Sequence, residues 1–151
     1  MLSNDILGIQ VKVRLSVLVS LTVLLAGCGY ILAGEWRDDP KNWKRAFGVS
    51  TPGGVIVHHS YYSRAPHFTN EWCYYFELED SRASRQAIGI YGLLKPSKRK
   101  ASEITLKRGC PSWFMHELPV EGEVWEYPGA DEFFVVIDQA RGRIYIHDQQ
   151  F

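Results

Sequence analysis

The sequence lacks any excess of charge. Lys and Arg together number 17, and so do Asp and Glu, in 151 residues. That balance leaves no electrostatic footprint for nucleic acid, so no nucleic-acid partner is expected. The one dense basic run is Lys95, Lys98, Arg99 and Lys100, with Lys107 and Arg108 further on. It reads as a solvated loop, with anionic lipid head groups or an acidic partner as the alternative. No apolar stretch reaches the roughly 20 residues that a membrane-spanning helix needs. No Gly-x-Ser-x-Gly elbow, phosphate loop or dinucleotide fingerprint occurs, and internal repeats and low-complexity tracts are missing too. Cysteine is scarce, at three. None of the three forms a zinc-type cluster with histidine, so neither a metal nor a cofactor is expected.

Aromatic residues are abundant: five Trp, eight Tyr and seven Phe. Such content suits a folded domain with a core and half-buried strand faces. The length allows one such domain.

The most specific stretch lies near the N-terminus. Lys12 and Arg14 precede an apolar run from Leu15 to Leu25, which ends in Leu25-Ala26-Gly27-Cys28. Basic flank, short apolar run and small residues are the parts of an export signal peptide. Leu25-Ala26-Gly27-Cys28 resembles the lipobox of bacterial lipoprotein precursors. The resemblance implies cleavage after residue 27, a lipid on Cys28, and a membrane-attached protein that does not span the bilayer. Gly29, in place of Asp, implies sorting to the periplasmic leaflet of the outer membrane in a Gram-negative cell. Met1 to Arg14 is long for an n-region and holds Asp5; this departs from the pattern and points to a start nearer Val11. The expected organisation is a leader over 1–27, a lipidated tether over 28–38 and one globular domain over 39–151.

Within the domain, Asp39, Pro40 and Gly48 frame a short helix with Trp43 and Phe47 on one face. Val55 to Tyr62 and Glu71 to Glu79 read as a strand pair with a long loop between them. In the second strand Trp72, Tyr74, Phe76 and Leu78 alternate with Cys73, Tyr75 and Glu77. Asp80-Ser81 starts a helix whose apolar stripe runs through Ala87 and Tyr91 to Leu94. An edge strand is expected over Glu103–Leu106. Glu123–Tyr127, Glu132–Asp138 and Arg143–Asp148 read as a β-meander with Gly142 at a positive-φ turn. The expected fold is α+β: an antiparallel sheet of about five strands with two helices packed on it, on one face. Trp36-Arg37-Asp38-Asp39-Pro40-Lys41-Asn42-Trp43-Lys44-Arg45-Ala46-Phe47-Gly48 and the aromatic strand after it look like small uncharacterised lipoproteins of Gram-negative bacteria. That resemblance implies no activity.

With Cys28 lipidated, Cys73 and Cys110 remain, and an oxidising compartment favours a disulfide between them. The histidines make no metal-ligand pair, and His58 and His59 point to opposite sheet faces. His116, Glu117 and Glu77, with Ser60, Ser63 or Ser112, supply acid–base or nucleophile chemistry only if folding gathers them. No catalytic residue is assigned. The stretch Ser60–Asn70 carries interface-type residues, and Tyr61, Tyr62, Arg64, His67 and Phe68 are the candidate partner contacts. The expected function is a non-enzymatic, lipid-anchored module that binds another envelope component, whether a protein, a glycan or a lipid. An inhibitor or immunity lipoprotein against an envelope-acting toxin, or a small envelope hydrolase, is the alternative.

Overall fold

The computed structural model describes residues 33–65, 71–89, 92–106, 109–117, 121–130 and 132–150. Cys28 and its leader, and His67 and Phe68, lie outside them. The elements in chain order are β1 (Gly34–Arg37), α1 (Asn42–Phe47), β2 (Val57–Arg64), β3 (Trp72–Glu79), α2 (Arg82–Ala87), β4 (Lys95–Pro96), a 3-10 turn (Ala101–Glu103), α3 (Ser112–Glu117), β5 (Glu123–Glu126), β6 (Phe134–Asp138) and β7 (Arg143–Gln150). All strands join one antiparallel sheet in the order β1-β2-β3-β7-β6-β5-β4. The protein is predominantly β, with a few short helices.

Period-two alternation builds a core on each side of the sheet. Tyr74, Phe76 and Leu78 of β3 join Val135, Ile137, Ile144 and Ile146 on one side, under Trp43 and Phe47 of α1. Tyr75 of β3 joins Val124, Phe134, Val136 and Tyr145 on the other, under Phe114 of α3. Phe114 is fully buried, and its ring centroid lies 4.9 Å from that of Tyr75 and 5.9 Å from that of Tyr145. The Trp43 and Phe47 rings are 4.5 Å apart, as a shared helix face requires.

Four expectations need correction. The described sheet has seven strands, not about five, because two short strands close its flanks. Three helices are described, not two: the two expected ones, α1 and α2, do share the first core, while the stretch read as a connector forms α3, whose Trp113 and Phe114 pack on the second. The helix expected to reach Leu94 stops at Ala87, because Gly89 takes φ 75°, a left-handed conformation that ends helices. The edge strand expected over Glu103–Leu106 is replaced by the 3-10 turn at Ala101–Glu103, and the edge is formed by Lys95–Pro96 against Glu126 and Trp125.

Other local expectations hold. Ser81 caps α2 by accepting from the Ser84 amide at 3.1 Å. Gly48 and Gly142 take φ 75° and 64°. No helix among the described residues is long and apolar enough to cross a membrane.

Candidate functional site

The described part of the proposed contact stretch, residues 60–65, does not form an exposed surface. β2 runs on through Arg64, and β1 pairs along its outer edge, setting Trp36 beside Tyr62 and Arg37 beside Tyr61. Residues expected to be tether are therefore strand. They bury Tyr62 in the first core and Tyr61 in the second, each 7% exposed. Burial raises both phenol pKa values. Arg64 ends the strand opposite Gly34 and Trp72. Of the five candidate contacts, then, Tyr61 and Tyr62 are core residues, and Arg64 is half-buried.

Cys73 and Cys110 pack on the same core but are free thiols, so the expected bridge is not formed. The Cys110 thiol is held elsewhere: it donates to the Pro111 carbonyl at 3.6 Å. Burial pushes both thiols up to about 11. They are poor nucleophiles near neutral pH.

The polar chemistry gathers at the other end of β2. Between Val57 and His59 the β2–β3 register slips, leaving His58 as the extra residue of a bulge. Bulges re-aim side chains. Val57 and Leu78 stay on the first core, while His59 pairs with Glu77 on the opposite face. The neighbouring residues thus face two different pockets.

On the α3 side, a cleft of about 440 Å3 is lined by His59, Glu77, Trp113, Arg141 and Arg143. The His59 and Trp113 rings lie 5.3 Å apart at 30°. Glu77 is 7% exposed and grips Arg143 at 2.9 Å. Asp138 is 5% exposed, accepts the Arg141 amide at 3.1 Å, and lies 3.7 Å from the Arg141 guanidinium. Two guanidiniums are thereby positioned from below by buried carboxylates beside a half-exposed indole.

On the α1 side, a cavity of about 300 Å3 lies between the β1–α1 connection and the bulge. Asp38 shapes its mouth. It is the one described non-glycine residue with positive φ, at 49°. Its amide donates to the Ser60 carbonyl at 2.8 Å, and its carboxylate accepts from the Ser60 amide at 2.9 Å. Asn42, fully buried, ties the wall together. Its amide group donates to the Trp36 carbonyl at 3.0 Å and to Ser60 Oγ at 3.1 Å, and it accepts from Arg45 at 2.8 Å. Asp39 is spent on Arg45 at 2.9 Å and on the Lys41 amide at 2.8 Å. These bonds hold its pKa below the usual value.

The remaining sequence candidates do not assemble. His147 is buried, stacked on Tyr75 at 4.3 Å, with Nδ1 3.0 Å from the Tyr74 carbonyl; it is a core residue. Ser60 serves the α1-side wall, and Glu77 serves Arg143. The side chains of His116 and Glu117 lie outside the described residues. Among the described residues no group of three or more His, Cys, Asp or Glu could hold a metal ion. The sequence reading missed Trp113, Arg141 and Arg143. The one available signal was the adjacent His58 and His59 in a strand, which fixes two faces at once. Comparisons with protein-family models, curated proteins and solved structures find no match to this chain.

Proposed function

We propose that this chain is a lipid-anchored envelope protein and a non-enzymatic binding module. Cys28 carries the lipid at the periplasmic leaflet of a Gram-negative outer membrane, and the His59–Trp113 face receives an envelope protein. The observation that carries the binding half of this reading is the cleft on the α3 side. Arg and Trp are the residue types most enriched among energetically dominant interface contacts. Here both guanidiniums are held in place before a partner arrives, which lowers the ordering cost of association. The outward-facing donors suit a partner that presents carboxylates.

The anchor half rests on the Leu25-Ala26-Gly27-Cys28 sequence and its flanks. On this reading the geometry is coherent. From Cys28 to Gly34 the chain can span at most about 20 Å at roughly 3.5 Å per residue. That tether holds the Gly34–Arg64–Trp72 end of the sheet near the bilayer. The bulge sits at the far end of β2, about 23 Å away at roughly 3.3 Å per residue, where it can meet a partner.

Crosslinking in intact envelopes, followed by capture of the full chain, tests both halves. The wild type is expected to fractionate with membranes, and Cys28→Ala to lose that attachment. Trp113→Ala combined with Arg141→Glu is expected to stay membrane-bound but to lose its crosslinked protein. Undiminished capture by this double variant would overturn the binding face. Unchanged membrane attachment of Cys28→Ala would overturn the anchor. A single stoichiometric partner with envelope-degrading activity would make the module an inhibitor.

A further inference from the structure

A further cavity on the first-core face is walled by apolar side chains and holds one carboxylate. It measures about 440 Å3 and opens beside the end of α2, with Phe47, Ile88, Leu94 and Phe133 in its walls. Gly89 builds the rim. Its left-handed backbone ends α2, and its carbonyl accepts the Leu93 amide at 2.8 Å and the Leu94 amide at 3.3 Å. Leu93 and Tyr127 stand at that rim, 64% and 49% exposed. They are two of the four large apolar side chains that the described residues leave in solvent, so the exposure is gathered at a concave wall, as at a binding site. Asp148 of β7 is half-buried and lines the same cavity. The Tyr74 hydroxyl donates to its carboxylate at 3.3 Å and the Gln149 amide at 2.9 Å. A carboxylate has about four acceptor sites, so these two bonds orient it and leave it able to accept more. Among the described residues no cation pairs with it, and the charge it feels most strongly is a second carboxylate, Glu132. Burial raises its pKa, as expected of an anion drawn from water without a counter-ion.

We propose that this cavity binds a small amine with an apolar body, its protonated nitrogen at Asp148 and its hydrocarbon against Phe47, Ile88, Leu94 and Phe133. An anionic ligand would meet Asp148 with Glu132 close by. A neutral apolar ligand would cover the carboxylate and leave it without a counter-ion, which is costly. A zwitterionic lipid head group would carry its phosphate toward the same two carboxylates. An ammonium supplies the missing charge and up to three donors. The Phe47 and Tyr74 rings, 5.2 Å apart, line the same cavity and add the attraction of aromatic rings for cations. A lysine from a protein partner has the charge but only a short stem of methylenes for walls that are mostly apolar. The volume lies within the roughly 300–1,000 Å3 of small-molecule sites, which pair apolar walls with a few placed polar groups in this way. The site is on the opposite face from the His59 cleft and does not rest on the protein-partner reading.

The test uses the full chain in a nonionic detergent, with isotope-labelled Ile and Leu methyl groups. Phenethylamine, phenethyl alcohol and hydrocinnamate are titrated in turn; they keep the phenyl ring and change the charge. The Ile88 methyl resonances, assigned with Ile88→Val, are followed by NMR. Saturable movement is expected with the amine, and the alcohol and the carboxylate should bind at least tenfold more weakly. Asp148→Asn should weaken the amine at least tenfold and leave the alcohol within twofold. The comparison of the three ligands in the wild type stands if Asp148→Asn does not fold. Trp113→Ala with Arg141→Glu, on the opposite face, should leave the amine titration unchanged. No movement at roughly 20 mM amine, where a millimolar site would be nearly full, overturns the proposal. Alcohol or carboxylate binding as tight as that of the amine overturns it equally. Tighter binding of N-acetyl-lysine methylamide than of phenethylamine would assign the cavity to a protein side chain and overturn it too.

Discussion

Asn42 carries more of the architecture than its size suggests, and replacing it with Ala is the sharpest test of the reasoning. The residue is fully buried and makes three hydrogen bonds that join α1, β1 and β2. Two are to neutral groups, the Trp36 carbonyl and Ser60 Oγ, and contribute about 0.5–1.5 kcal/mol each. The third, from the Arg45 guanidinium, belongs to the charged class, at about 1.5–3 kcal/mol. Arg45 keeps Asp39 at 2.9 Å and its place 4.4 Å over the Trp36 ring, so this contribution belongs at the low end. The expected loss for Asn42→Ala is about 3 kcal/mol. With a urea m-value of about 2 kcal/mol/M, the unfolding midpoint should fall by about 1.5 M. Asn42→Asp keeps an acceptor for Arg45 but removes both donors and sets a carboxylate against the Trp36 carbonyl. It should be at least as damaging at pH 7. Amide exchange should quicken in β1 before it does in β3 in either variant, because Asn42 is what pins Trp36. A midpoint shift under about 0.3 M for Asn42→Ala would refute the network's role.

Phe114→Ala removes the fully buried ring that seats α3 and should cost about 3–5 kcal/mol, read as a lowered denaturation midpoint. Both Cys73 and Cys110 should be counted as free thiols after denaturation, and should alkylate slowly in the native protein at pH 7, because burial raises them to about 11; a missing pair of thiols would refute the free state. Burial raises the Asp148 pKa in the folded chain, against help from the Gln149 amide and the Tyr74 hydroxyl. The folded state therefore holds this proton more tightly than the unfolded state. The associated stability is present below the ordinary carboxylate pKa and is lost as pH rises through the raised folded value. Asp148→Asn should accordingly flatten the pH dependence of the urea midpoint in that window, and an unchanged slope would refute the assignment. Gly89→Ala, at φ 75° with a new Cβ about 3.2 Å from Leu93, should cost about 1 kcal/mol or more, read as a lowered urea midpoint.

The sequence was most readable where a pattern is local. Alternation in β3 set Tyr74, Phe76 and Leu78 on one face and Cys73 and Tyr75 on the other, and the structure keeps both sets. Gly48 and Gly142 marked their turns because positive φ is written in residue type. Reading failed where a neighbour decides. Gly34–Arg37 is too short to announce itself, and it is a strand only because β2 offers an edge. Missing it left Tyr61 and Tyr62 exposed on paper. The two pockets were not legible either. Trp113 meets His59, and Arg143 meets Glu77, across long sequence separations that only the sheet register closes. What the doublet of histidines did tell was that two faces would be served from one place.

The outermost strands are both very short, at four residues for β1 and two for β4. A sheet edge is an open template on which another chain can add a strand. Here the template ends almost at once. β1 gives way at Asp38, whose left-handed backbone turns the chain off the sheet line. β4 is half proline, and Pro96 has no amide proton to offer. Lys95 beside it adds a charge that an invading strand would have to desolvate. Copies of this sheet brought close together therefore lack the long free edges along which they would zip into one another.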